Sequence, residues 1–376
     1  MTKDIVKFND PYLVGNELLN IQELCTENGP FYGAGRFTAA ARALIADRIG
    51  EDKIVLTDSC TSALDVIGLI LAHKTNKSTV ICPSYTFSST ASAFIKAGFK
   101  VHFVDVNPDT LMIDECCLQN IDFNDVAALI VVHYAGQVCD LISLKNFCDD
   151  KNIYLIEDSA QAFGCELEGR HAGTFGDFGA FSFHETKNIH CGLGGALVVK
   201  DETDYQLAQY ICDRGSNRSD LLKGLVDKYT WVSIGGSYTL SELAAAFLTA
   251  QLDQYTEFLK SRKLLWMRYY EKLIGQTGLT VQKIQPNVLS NFHAFYVIFE
   301  SEKICDFVRG NLLSCGIYAY IGYVPLHSSP FAIKSKSCLI EPLPHTEDVS
   351  KRILRLPLHH KITIGEVDRI CQIITN

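Results

Sequence analysis

Lys187 closes the stretch Gly179-Ala-Phe-Ser-Phe-His-Glu-Thr-Lys-Asn188, in which a short apolar strand is predicted from Ala180 to Phe183. That strand delivers Ser182, His184 and then the lysine to its end, and Gly192-Leu-Gly-Gly195 and a second predicted strand, Ala196 to Val199, follow. A lysine held between packed strands loses its proton readily, because burial disfavours the ammonium form. The neutral amine can then attack a carbonyl carbon. The competing reading is a solvated loop lysine, the usual fate of lysines, and this stretch alone does not separate the two.

Two further clusters sit at predicted strand ends. Ser59-Cys-Thr-Ser62 lies at a strand-to-helix turn, where free backbone N–H groups and hydroxyls can cradle a phosphate. Plain N-capping by Ser or Thr explains the same residues. Glu157-Asp-Ser-Ala-Gln161 follows another strand, and an acid there could bind a metal, act as a base or hold a pyridinium nitrogen. For Glu157 itself a solvated or capping carboxylate is the simpler expectation. Phosphate turn, strand-end Asp158 and the Ser182 to Lys187 pair occur in the order, and at roughly the spacing, that pyridoxal phosphate requires. There the aspartate keeps the ring nitrogen protonated, and the lysine carries the cofactor and moves protons.

The elements that must position these groups read as strand, loop and helix in alternation. Strands are predicted at Ile54–Thr57, Thr79–Cys82, Lys100–Val104, Ala128–Val132 and Ile153–Glu157. Helices are predicted at Phe37–Ile49, Ala63–Ala72, Ser88–Ala97 and Leu141–Asp149. Continuous apolar strands alternating with helices imply a mostly parallel sheet covered on both faces, with ligands gathered at the strands' carboxyl ends. Residues 1–35 look like an irregular lead-in. A long helix is expected from Leu240 toward Leu273 as a bridge. After it come a strand (Ala294–Phe299), a helix (Lys303–Leu313), a strand (Ile317–Ile321) and a final helix (Ile364–Ile374). The expected division is a large α/β domain over 1–245 and a bridging helix with a smaller α+β domain over 246–376.

Composition excludes several classes. The chain has 376 residues, 47% hydrophobic and 20% charged, with a net charge of −9. An acidic protein of this kind does not suit general nucleic-acid binding. Its apolar runs are too short to span a bilayer, and the N-terminus Met1 to Asp10 has no apolar leader. The fourteen cysteines are scattered without paired spacing, which fits buried thiols in a reducing compartment, so the cytoplasm is the expected location. His133, His171, His190, His359 and His360 show no metal-site spacing, and no metal is expected.

Several longer motifs carry a resemblance to a known family. They are Cys82-Pro-Ser-Tyr-Thr-Phe-Ser-Ser-Thr90, Val104-Asp-Val, Val132-His-Tyr-Ala-Gly136, Ile156-Glu-Asp-Ser-Ala-Gln161 and Phe181-Ser-Phe-His-Glu-Thr-Lys-Asn188. Together they resemble the DegT/StrS-type nucleotide-sugar aminotransferases, from about residue 5 to the C-terminus. The resemblance implies an aspartate-aminotransferase-like fold (PLP fold type I), pyridoxal 5'-phosphate and a homodimer with shared active sites. It implies Lys187 as the Schiff-base lysine and acid/base, Asp158 at the pyridinium nitrogen, Phe87 stacked on the ring and Gln161 at the ring hydroxyl. It places Thr61, Ser62 and Ser182 at the phosphate. Arg218, Lys228 and Tyr238 become candidates for substrate phosphate contacts across the dimer, and Tyr323 and His327 for the substrate side.

Arg214-Gly-Ser-Asn-Arg-Ser219 and Val226-Asp-Lys-Tyr-Thr-Trp231 are similar to the branch that makes dTDP-4-amino-4,6-dideoxygalactose from dTDP-4-keto-6-deoxyglucose with L-glutamate. The gluco epimer, a 3-aminotransferase, and a dehydratase or regulatory relative stand as alternatives. Lys187 argues against the dehydratases, which carry histidine there. A nicotinamide dehydrogenase would need a Gly-x-Gly-x-x-Gly turn that Asp58-Ser-Cys-Thr-Ser62 does not provide. Two positions depart from the family pattern. Leu193 replaces an acid in the glycine run, and Gly322 replaces histidine in the motif ending at His327.

Overall fold

The computed structural model describes residues 5–376; Met1 to Asp4, part of the N-terminus read above, lie outside the described residues. Helices α1 (Glu17–Thr26) and α2 (Arg36–Ile49) precede an alternating run. That run is β1 (Ile54–Thr57), α3 (Cys60–Lys74), β2 (Thr79–Pro83), α4 (Ser88–Lys96), β3 (Lys100–Val104), β4 (Val126–Val132), α5 (Leu141–Lys151) and β5 (Tyr154–Asp158). A small hairpin, β6 (Glu166–Leu167) and β7 (Arg170–His171), leads to β8 (Phe178–Ser182) and β9 (Gly195–Val199). Helices α6 (Glu202–Cys212), α7 (Arg218–Leu222), α8 (Glu242–Asp253) and α9 (Tyr255–Leu273) follow. The remainder holds β10 (Leu279–Val281), β11 (Val288–Leu289), β12 (Phe295–Phe299), α10 (Glu302–Ser314), α11 (Pro330–Lys334), β13 (Cys338–Leu339), α12 (Pro344–Arg352), β14 (Ile353–Leu356) and α13 (Ile364–Thr375).

The central sheet has the order β1-β9-β8-β5-β4-β2-β3-β13. From β8 to β13 the neighbours run parallel, and β9 runs antiparallel to both β8 and β1. Strand β4 shows why both faces are covered. Ala128 and Ile130 point into one apolar cluster with Ile67 and Phe94, while Leu129 and Val131 point into another with Leu144. A strand buried on both faces has no polar side to display, so its sequence reads as a continuous apolar run. A separate sheet, β10-β12-β14, packs with α9 and α13 around Trp266, Tyr269, Phe295 and Ile370.

Three expectations need correction. The lead-in contains α1, whose pattern is inverted: Leu18 and Leu19 are exposed, while Glu17 is buried and accepts N–H bonds from Val14 and Gly15 and one from Gln251 Nε2. The long bridging helix is two helices. At Gln254 the backbone N–H turns to the Gln251 carbonyl, and the chain restarts with Tyr255 packed edge-on against Phe163. The segment 317–321 is not a strand, because its bridges reach different partners: Ile317 meets Val6, and Tyr320 meets Arg355.

All fourteen cysteines are unpaired. Among the described residues no helix is long and apolar enough to cross a membrane, and no group of three or more His, Cys, Asp or Glu could hold a metal ion.

Candidate active site

Sheet register aligns the chemistry. Val132 of β4 pairs with Asp158 of β5, and Asp158 pairs with Ala180 of β8. The carboxyl ends of three neighbouring parallel strands therefore open together onto one cavity of about 380 Å³. Its wall includes Thr61, Phe87, Asp158, Gln161, Ser182 and Lys187, and Tyr323 closes it from the second half of the chain.

Lys187 follows a turn in which its N–H bonds the His184 carbonyl, and its Nζ has no hydrogen-bond or ion-pair partner among the described residues. Burial holds this amine below its ordinary value of 10.5; Cys60 and Asp158 oppose that shift and Arg355 adds to it. Asp158 is 4% exposed. Its Oδ2 accepts from Thr90 Oγ1 at 2.6 Å and its Oδ1 from the Ala160 N–H at 3.1 Å, so two donors fix the carboxylate plane. Phe87, the residue before α4, is 58% exposed and leans toward the Tyr323 ring at 6.3 Å. Gln161 spans the site: its Oε1 accepts from the Ala135 N–H at 2.8 Å and its Nε2 donates to the Tyr323 hydroxyl at 2.6 Å.

At the start of α3, Ser59 is extended and its Oγ accepts from the Ser62 N–H at 3.1 Å. Capping and cradle coexist here. Ser59 satisfies one first-turn donor, and the N–H groups of Cys60 and Thr61, both in the cavity wall, have no partner among the described residues. Ser62 stands off the cavity wall, with its Oγ 3.0 Å from Ser59 Oγ. Gly195 of β9 is pressed against this turn. A Cβ there would lie 2.4 Å from the Cys60 nitrogen.

Other expected residues stand elsewhere. His327 lies across Tyr323 in a second cavity, with Nδ1 at 2.6 Å from Ser84 Oγ and Nε2 at 3.4 Å from Glu347 Oε1. Arg218 stacks over the Tyr32 ring and bonds its hydroxyl, Lys228 is exposed, and Tyr238 is half-buried beside the sheet. None of these three lines the cavity of its own chain. Glu157 is not solvated. It is fully buried and accepts N–H bonds from Gly173, Phe175 and Gly176 and one from His133 Nε2.

The sequence reading missed Arg262, His293 and Arg355, all in the cavity wall. Arg262 gives N–H bonds to the Phe292 and His293 carbonyls, and burial pushes its pKa down to about 9. A signal for it existed, since it interrupts the apolar stripe Phe258, Leu265, Trp266 and Tyr269 of α9. Arg355 similarly interrupts the apolar β14 and lies over the Phe8 and Tyr323 rings. The Gly322 departure has a steric reason: a Cβ there would lie 1.6 Å from the Tyr85 hydroxyl, which fills the space. Leu193, at the cavity mouth, is 64% exposed.

Residues 15–375 match the DegT/DnrJ/EryC1/StrS aminotransferase family. The chain belongs to that family. It is a PLP-dependent sugar aminotransferase with the fold-type-I architecture. Relatives include a dTDP-4-dehydro-2,3,6-trideoxy-D-glucose 4-aminotransferase from Saccharopolyspora spinosa, 29% identical and covering 96% of this chain and 94% of the relative. The spore coat polysaccharide biosynthesis protein SpsC of Bacillus subtilis is 28% identical, over 87% of this chain and 85% of its own. The crystal structure of the aminotransferase TlmJ from Streptoalloteichus hindustanus superposes with a TM-score of 0.89 at 25% identity, covering 99% of this chain and 98% of that one.

For a DegT/DnrJ/EryC1/StrS aminotransferase, the residues present fit pyridoxal phosphate. The α3 cradle offers a phosphate N–H groups that have no partner among the described residues, Asp158 offers a carboxylate whose other partners are already placed, and Lys187 offers an amine likewise without a partner among them.

Proposed function

We propose that this aminotransferase converts dTDP-4-keto-6-deoxyglucose to dTDP-4-amino-4,6-dideoxygalactose with L-glutamate as amino donor. The reading is carried by the unpaired Nζ of Lys187 in the same cavity as the doubly anchored Asp158. It is supported by the Saccharopolyspora spinosa relative, which is named for a dTDP-linked 4-keto sugar. The stretches 214–219 and 226–231 support the galacto branch by resemblance.

Bound pyridoxal phosphate supplies the electron sink through which an amino group and a keto group are exchanged. The chain's residues do the rest. Cys60, Thr61 and Ser182 would hold the phosphate through N–H and hydroxyl groups. Asp158, held by Thr90 and Ala160, would accept from the ring N–H and keep it protonated. Phe87 would pack against the ring, and Gln161, bonded to the Tyr323 hydroxyl, would flank it. Lys187, with its pKa lowered, carries a proton at Nζ from one carbon to another, and the sugar face it reaches sets the configuration of the new amine.

A homodimer completes the proposal, with Arg218, Lys228 and Tyr238 contributing to the second subunit's substrate site. Tyr323 would meet the substrate, while His327 lies in the neighbouring cavity, bonded to Ser84. The division near residue 245 and a cytoplasmic location belong to the same reading.

Product NMR after incubation with dTDP-4-keto-6-deoxyglucose, pyridoxal phosphate and L-glutamate decides it. An axial C4 amine is the expected product. An equatorial amine keeps the transamination and overturns the sugar pose. No amine from the loaded enzyme overturns the substrate.

A further inference from the structure

His293 stands in the cavity wall with Lys187, and its Nδ1 lies 3.0 Å from Asn188 Oδ1. Asn188 Nδ2 donates to the Asn291 carbonyl at 2.8 Å. A carbonyl oxygen can only accept, so the Asn188 amide must turn its NH2 toward Asn291 and its oxygen toward His293. That oxygen also only accepts, so the ring proton of His293 must sit on Nδ1. Nε2 is left as a bare lone pair, and it has no hydrogen-bond partner among the described residues. The charged groups acting on the ring are Lys187, Arg262 and Arg355; burial first, and then these cations, hold the imidazole neutral well below its ordinary pKa of 6.5.

The chemistry of a matching ligand group follows. A carboxylate or phosphate oxygen is repelled by the lone pair and finds better partners in the guanidinium groups. An ammonium would have to enter beside the Arg262 and Arg355 guanidinium groups. A neutral O–H group suffers neither penalty. We propose that His293 Nε2 accepts a hydrogen bond from a ring hydroxyl of the sugar, making His293 a determinant of preference for hydroxylated over deoxygenated substrates. This rests on the sugar-aminotransferase reading above. Asn188 is then a positioning residue that acts through the tautomer of His293.

The test compares dTDP-4-keto-6-deoxyglucose with its 2,3-dideoxy counterpart as substrates of the loaded wild type, His293→Asn and His293→Gln. Asparagine keeps a polar atom near Nδ1 but has nothing at Nε2, whereas glutamine reaches the Nε2 position. For His293→Asn, KM for the hydroxylated sugar rises about tenfold with kcat little changed, as expected for one lost hydrogen bond. KM for the dideoxy sugar does not move, and His293→Gln recovers most of the loss. In parallel, 15N NMR of histidine-labelled wild type shows His293 protonated on Nδ1 alone, with the Nε2 resonance shifting when the hydroxylated sugar binds.

Equal KM increases for both sugars, or a protonated Nε2, would overturn the proposal and leave the transaminase reading intact. A loaded wild type that aminates neither sugar removes the substrate reading and this proposal together.

Discussion

His133 Nε2 donates a hydrogen bond to Glu157 Oε2 at 3.0 Å, and both side chains are closed off from solvent. Burial alone would raise the Glu157 pKa, but His133 and the Gly173 and Gly176 N–H groups outweigh it and the net shift is downward. The acid therefore stays ionised and ties the 173–176 loop and the end of β4 to the strand that carries Asp158. Glu157→Gln turns an NH2 group toward backbone donors that need an acceptor. It should lower unfolding free energy by about 3 kcal/mol, read by denaturant titration. Because the folded pKa is depressed, this contribution is present above the unfolded value near 4.5 and is lost as pH falls through the folded one.

His171 behaves oppositely to a salt-bridged histidine. Its Nε2 accepts from the Gly164 N–H at 2.7 Å, and burial lowers its pKa from 6.5 to about 4. Between those values the unfolded chain binds the proton more readily than the folded one. The contribution of His171 therefore falls as pH drops from 6.5 toward 4 and changes no further below that. The span corresponds to about 3 kcal/mol at most. His171→Gln, studied by thermal unfolding across this range, should flatten the slope even if its absolute stability is lower.

Thr90 orients Asp158 from outside the cavity wall. Thr90→Val removes the 2.6 Å bond to Oδ2 and leaves the carboxylate held by the Ala160 N–H alone. Turnover should fall roughly tenfold, and the pH profile of the loaded enzyme's visible absorbance should shift, because Asp158, the proposed ring-nitrogen partner, is less well fixed. An unchanged spectrum with lower turnover would place the role of Thr90 elsewhere.

Helix α2 begins at Gly35, which has no side chain to cap it. Glu242, the first residue of α8, supplies the cap from far along the chain and accepts from the N–H groups of Gly35, Phe37 and Thr38. Glu242→Ala leaves three donors unpaired in a closed site. The expected loss is about 2–4 kcal/mol in denaturant titration, with faster hydrogen exchange at the start of α2.

Chemistry placed by a single strand end was legible in the sequence. Asp158, Ser182 and Lys187 each follow a short apolar run, and in a parallel sheet such runs deliver their ends to one edge. The alternation of strands and helices was legible for the same local reason. What sequence could not supply depends on packing between distant segments. Glu17 hides α1 by sitting inside the fold. Ser62 turns away because Ser59 takes its N–H and hydroxyl. Arg262, His293 and Arg355 reach the cavity only because the second sheet packs against the strand ends of the first. Whether a lysine is solvated or buried with its pKa lowered, and which nitrogen of a histidine is bare, depends on neighbours that no local pattern names, so only the tertiary structure decided them.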